Sequence, residues 1–213
     1  MHLVIGLGNP GNQYKYTRHN AGFLALEVMT AKFGFDPPAN FKSSLASKGR
    51  LEGEQVVLAW PQTYMNLSGQ AVQELAGFYK VPGENILVVH DEMDLEPGRI
   101  KLAFGGGTAG HKGLSSILAI LKQDFCRLKI GIGRPPKEIF TAGNADYVLA
   151  RFLEMEAPAV EKSFEEAAEV ARIWLLEGLA KAQLKANRRP KTKKPKNNEA
   201  EGEPEPKAAP ETA

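Results

Sequence analysis

The side chain best suited to move a proton at neutral pH is His19, set in Thr17-Arg18-His19-Asn20. An imidazole changes charge near neutrality, and a carboxylate that accepts from one ring nitrogen leaves the other free to act as a base. Asp91, in His90-Asp91-Glu92-Met93-Asp94, is the candidate partner: it would fix the tautomer and stabilise the imidazolium formed when His19 takes a proton from water. Asn9 and Asn66 add amide groups able to hold a carbonyl or a ribose hydroxyl, and Gly105 to Gly113 adds backbone N–H groups in a mobile loop. The combined chemistry is activation of water beside amides that can hold a carbonyl or a hydroxyl.

Three competing chemistries are weaker. Gly6 to Gly11 spells GxGxxG after a short apolar run, but Pro10 and a polar loop follow where a dinucleotide-binding helix would open, and helical periodicity starts only near Ala21. The acids Asp91, Glu92 and Asp94 with His90 are too nearly consecutive to converge on one metal ion, so no metal is expected. No GxSxG elbow surrounds Ser68, Ser115 or Ser116.

The elements that must position these groups alternate between strand and helix. Leu3 to Gly6 reads as a buried strand and Ala21 to Phe33 as a helix, with Asn20 as its cap and Gly34 as its stop. Leu45 to Leu51 and Val56 to Trp60 form a hairpin, and a helix from about Gln70 to Lys80 follows, capped by Ser68. Ile86 to Val89 has the look of a central strand with His90 to Asp94 at its carboxyl end. Arg99 to Phe104 and Arg127 to Gly133 read as further strands, Leu114 to Leu121 and Ala157 to Lys185 as helices, and Ala145 to Phe152 is ambiguous. The expectation is an α/β single-domain sandwich of helices around a twisted mixed β-sheet, spanning residues 1–186.

Bulk properties narrow the setting. With 213 residues and 43% apolar content the chain can bury one sizeable core. No run approaches a membrane span, and no basic-then-apolar leader opens the chain. The single Cys126 sits in an apolar run and cannot form an internal disulfide, which fits a cytoplasmic location. Of the net charge of +2, residues 188–213 hold seven Lys or Arg and five Glu, so the remainder is neutral and any attraction to nucleic acid must come from local patches or the tail. Residues 187–213 lack apolar anchors, and their composition predicts a disordered, solubilising tail or a tether for RNA.

Five ordered motifs together resemble the bacterial peptidyl-tRNA hydrolase family: Gly6-Leu7-Gly8-Asn9-Pro10-Gly11, Thr17 to Gly22, Pro61 to Gly69, His90 to Leu95, and Gly105 to Gly113. The resemblance covers roughly residues 2–186. It implies a monomeric enzyme, without cofactor or obligate protein partner, whose substrate is peptidyl-tRNA and whose reaction cleaves the ester between peptide and 3′ ribose. It implies His19 as base, Asp91 as its partner, and Asn9, Tyr14, Tyr64, Met65, Asn66 and His111 around the substrate. Lys112 departs from the pattern, which has Asn after Gly-His, and puts that substrate contact in question; a non-catalytic RNA-binding relative is the alternative. Because tRNA is held chiefly through phosphates, Lys101, Arg127, Lys129 and Arg134 are candidate phosphate contacts, or else a solvated strand face.

Overall fold

The computed structural model describes residues 1–135 and 143–188. Seven strands form one mixed sheet: β1 (His2–Gly6), β2 (Ala39–Phe41), β3 (Ser44–Leu51), β4 (Glu54–Pro61), β5 (Ile86–Glu92), β6 (Ile100–Phe104) and β7 (Cys126–Gly131), in the order β2-β3-β4-β1-β5-β7-β6. The four central strands β4, β1, β5 and β7 run parallel, and antiparallel pairs close both edges. This is the α/β sandwich expected from the alternating pattern.

The all-apolar runs of β1 and β5 are buried on both faces, as parallel central strands require. Helices α1 (Ala21–Phe33), α5 (Ala157–Glu177) and α6 (Leu179–Ala186) cover one face, around Val4, Leu58, Val89, Leu128, Phe164 and Trp174. Helices α2 (Ser68–Tyr79) and α3 (Lys112–Leu121) cover the other, around Leu3, Ile5, Val57, Val88, Leu75 and Ile117. Short α4 (Asn144–Leu149) sits near the carboxyl end of β7, with buried Tyr147 donating to the Ile132 carbonyl at 2.6 Å.

Most element bounds follow the sequence reading, and the exceptions have causes. The helix expected from Ala157 to Lys185 breaks at Gly178, whose φ of 86° no helix accommodates. The ambiguous stretch after Gly143 is α4. Pro37-Pro38, read only as a connection, leads into edge strand β2. Asn20 and Ser68 do not cap their helices: the Asn20 amide is committed to Asn9, and Ser68 Oγ donates to the Met65 carbonyl at 2.8 Å. Asn187 is anchored to β6 rather than loose, while the disorder expected of the tail falls on residues 189–213, outside those described.

One close approach matters for function. A Cβ at Gly22 would stand 2.3 Å from the Val89 carbonyl oxygen and 2.4 Å from the Leu7 nitrogen, so only glycine lets the first turn of α1 press against the ends of β1 and β5. That packing sets how near the loop preceding α1 comes to Asp91.

Candidate active site

The loop from Leu7 to Asn20 is tied down at both ends. Leu7 N–H donates to the Val89 carbonyl at 2.9 Å, and buried Asn20 closes a reciprocal pair with the Asn9 backbone, accepting from its N–H at 2.9 Å and donating to its carbonyl at 3.0 Å. Asn9 Oδ1 in turn accepts from Met65 N–H at 2.9 Å. With that oxygen occupied, the Asn9 Nδ2 group is left to donate into the cleft. Arg18, fully buried, pairs with Glu156 at 2.6 Å, donates to the Arg151 carbonyl, and lies over the Tyr147 ring at 4.3 Å. Its own N–H reaches the Ala150 carbonyl at 2.9 Å. The segment behind α4 is thereby fastened to the residue preceding His19.

Asp91 sits at the carboxyl end of β5, 3% exposed. Its Oδ1 is 2.9 Å from His19 Nδ1 and 2.9 Å from His111 Nε2. Backbone geometry decides where the protons lie. His111 is the N-cap of α3, and its Nδ1 accepts from Gly113 N–H at 3.1 Å and from Leu114 N–H at 3.4 Å. A nitrogen that accepts carries no proton, so in neutral His111 the hydrogen is on Nε2 and is donated to Asp91. Burial alone would raise the Asp91 pKa, but the two imidazoles outweigh it and hold the carboxyl well below the usual carboxylate range. The acid is ionised, so His19 Nδ1–H donates to it, and in the neutral ring the lone pair lies on Nε2.

His19, Asp91 and His111 have the composition of a metal site, with their ligand atoms all within 4.8 Å of one another. The protonation pattern speaks against that use. A cation on His111 Nε2 would move the ring proton to Nδ1, against two backbone N–H donors at the start of α3. The cluster is a hydrogen-bonded triad in which both rings meet one carboxylate oxygen.

Neighbouring His90 is different again. Its Nδ1–H donates to the Asp91 carbonyl at 2.6 Å, and burial, assisted by His111, drives its pKa down to about 3. It is a neutral part of the floor.

The cleft above these groups encloses about 710 Å³. Asn9, His19, Met65, Asn66, Tyr64, His90, Asp91, His111 and Lys112 all line it, as do Asn144, Ala145, Val148 and Leu149 of α4. Met65 is buried and forms floor; a Cβ at Gly113 would lie 2.6 Å from its Sδ, so α3 begins with glycine where it meets Met65. Tyr64 is 59% exposed on the rim. Lys112 is exposed on the wall, with no ion pair among the described residues. Tyr14 is not among the lining residues; its carbonyl accepts from Thr17 N–H at 3.0 Å, which shapes the loop leading to His19.

Of the four candidate phosphate contacts, Arg127 is corrected by the structure. It is 1% exposed because the loop after β6 folds back over it, and its Nη1 donates to the Gly107 carbonyl at 2.6 Å. Lys129 is half-buried and paired with Glu92 at 2.7 Å, and Arg134 is exposed and paired with Asp94 at 2.5 Å. Lys101 is exposed, facing Lys129 in register across β6 and β7.

Sequence reasoning missed the structural roles of Arg18 and Asn20 and the wall made by α4. Both residues flank His19 in a polar loop, a place where full burial implies clamping, but burial is not readable from the loop's composition.

A family model described as peptidyl-tRNA hydrolase matches residues 3–196. The chain belongs to the peptidyl-tRNA hydrolase family. Among members, it is 46% identical over 183 residues to the peptidyl-tRNA hydrolase of Mycobacterium sp. (strain KMS), covering 85% of this chain and 94% of that one. It is 45% identical over 191 residues to that of Desulfitobacterium hafniense (strain Y51), covering 88% and 100%. The crystal structure of the Acinetobacter baumannii peptidyl-tRNA hydrolase superposes with a TM-score of 0.80 at 37% identity, over 88% of this chain and 94% of that one. Membership makes the cleft carrying His19 and Asp91 the first place to look for the family's chemistry.

Proposed function

We propose that this protein hydrolyses the ester joining a peptide to the 3′ ribose of tRNA, with His19 Nε2 as general base. The observation that carries the reading is the oriented, unshared lone pair of His19, fixed by an ionised Asp91 at the base of an open cleft. His19 takes a proton from water as the water oxygen bonds to the ester carbonyl carbon. The developing oxyanion is met by amide N–H donors of Asn9 and Asn66, and groups of this kind contribute on the order of 10²-fold each. Collapse breaks the bond to the ribose oxygen, which recovers the proton from His19. The products are a free peptide and tRNA, so the enzyme returns tRNA from aborted translation to use.

Asp91 stabilises the transient imidazolium, and His111, with both nitrogens engaged, holds the carboxylate in place without exchanging protons. Tyr64 on the rim and Met65 on the floor bound the substrate's path; Tyr14 acts only through the loop. Lys112 supplies an ammonium where family members have an amide, and its role is to hold an anionic or carbonyl oxygen of the substrate. Lys101, Lys129 and Arg134 form the track for RNA phosphates. The same reading has a single chain working in the cytoplasm with no partner protein, which sedimentation and fractionation test.

The deciding experiment measures peptide release from purified peptidyl-tRNA by the wild-type protein and by His19→Ala. Rapid release that the substitution abolishes is the expected result. Binding of tRNA without turnover by the wild type would replace this reading with a non-catalytic RNA-binding role.

A further inference from the structure

The strand order puts different surfaces on the two sides of the catalytic cleft. His19 and Asp91 stand where β1 and β5 end, in the middle of the sheet. To one side lie β7 and β6, which carry Lys129 opposite Lys101, and to the other lie β4 and β3. A second hollow, of about 620 Å³, opens on that other side, and Asn9 lines both it and the cleft. The passage between them has two rails. Along one, the chain leaves the cleft at Asn9 and borders the second hollow through Asn12; along the other, Trp60 and Gln62 border the hollow, and Tyr64 and Met65 border the cleft.

The floor of this hollow is apolar and held in place. Trp60 and Leu45 stand opposite one another in register across β4 and β3, and Trp60 Nε1–H donates to the Phe23 carbonyl at 3.2 Å, which satisfies the indole's one donor. The Phe23 ring lies against Gly8, and the Phe35 ring against Gly49; a Cβ at either glycine would come within 2.7 Å of the ring. Both rings therefore owe their seats to glycine, and one of those glycines belongs to the loop that carries Asn9 and His19. Trp60 is buried, while Phe23, Phe35 and Leu45 are half-buried and line the opening. The volume is within the range of roughly 300–1,000 Å³ found for small-ligand sites.

We infer that this hollow is a subsite for an apolar side chain of the peptide, upstream of the residue esterified to tRNA, with Phe23, Phe35, Leu45 and Trp60 setting which peptides are released fastest. The inference rests on the peptidyl-tRNA reading above. An ester held at His19 has RNA on one side of the bond that breaks and peptide on the other. With the phosphates following the cations of β6 and β7, the acyl chain leaves toward β4 and β3, past Asn9 and into the hollow. An aromatic or long aliphatic side chain matches this lining, whereas a charged one would give up its water against carbon.

The test measures peptide release by the full-length protein from peptidyl-tRNAs that share one tRNA and one esterified residue, with Phe or Gly placed in turn at the first, second and third positions upstream. At one position kcat/KM with Phe should exceed that with Gly by roughly tenfold or more, the scale of burying one large apolar side chain. Ala31→Trp, at an exposed position of α1 that lines the hollow, would plug it with an indole, and Leu45→Gln would put an amide in its wall. Each should bring the Phe-to-Gly ratio at that position close to one. The ratio compares two substrates on the same protein, so a general loss of activity leaves it unmoved. A wild-type ratio within twofold at all three positions would overturn the subsite, as would a ratio that both variants retain. Wild-type protein that releases peptide from none of these substrates would instead sink the hydrolase reading.

Discussion

The loop from Leu7 to Asn20 and the loop from Gly105 to His111 each bring an imidazole to Asp91 Oδ1 at 2.9 Å, and the two rings end with different chemistry. His19 gives one nitrogen to the acid and keeps the other for the cleft. His111 has both engaged, one by the acid and one by the first N–H groups of α3. The supports differ in kind as well: the first loop is clamped by the buried side chains of Asn20 and Arg18, the second by Arg127 beneath Gly107 and by its own histidine. A ring's chemistry here is decided by what its far nitrogen meets, not by its distance from the carboxylate.

The sharpest way to break this contrast is His19→Ala. Removing a general base costs about 10²–10⁴ in rate, and His111 should not substitute for it. Steady-state peptide release within tenfold of wild type would show that the rings are interchangeable. Asp91→Asn comes next, with a fall in kcat on the order of 10²-fold, because the uncharged amide no longer stabilises the imidazolium. His111→Asn keeps an acceptor for the α3 N–H groups and gives up only the hydrogen bond to Asp91, so a drop of about tenfold in kcat is expected with an unchanged melting temperature; a loss as large as that of His19→Ala would make His111 a proton carrier.

Two smaller effects sharpen the picture. Lys112→Asn should leave kcat intact and change KM for peptidyl-tRNA a few-fold; identical constants would remove the ammonium from the substrate's path. His90 tests the third ring of the cluster through stability. Its folded pKa of about 3 lies below the unfolded value of 6.5, so between those limits the unfolded chain binds a proton that the native state refuses. Stability therefore falls as pH drops from about 6.5 toward 3, and the penalty is absent above that window. His90→Asn, whose Nδ2–H can replace the donation to the Asp91 carbonyl, should flatten the acid side of a plot of melting temperature against pH. An unaltered slope would mean that His90 is not the group responsible.

Much of this was legible in the sequence because motif residues do their work locally. The apolar runs of β1 and β5 and the helix stop Gly34 mark the elements, and the motifs at strand ends mark the cleft. His19, Asp91, Asn9 and Asn66 could be named as candidates because they stand in ordered motifs at strand ends, although Asn9 also does structural work by accepting from Met65 N–H. The parts that could not be read depend on how distant segments fold over one another. Arg127 looked like a surface cation until the glycine loop covered it, and Asn20 looked like a helix cap until its amide paired with Asn9. The wall contributed by α4 was hidden because a six-residue helix has too few turns to show a period.

Arg18 is bonded through its side chain to Arg151 and Glu156, and it is the covalent neighbour of the base. One guanidinium therefore ties the stretch after α4 to the peptide link that carries His19, so a disturbance on either side is felt on the other.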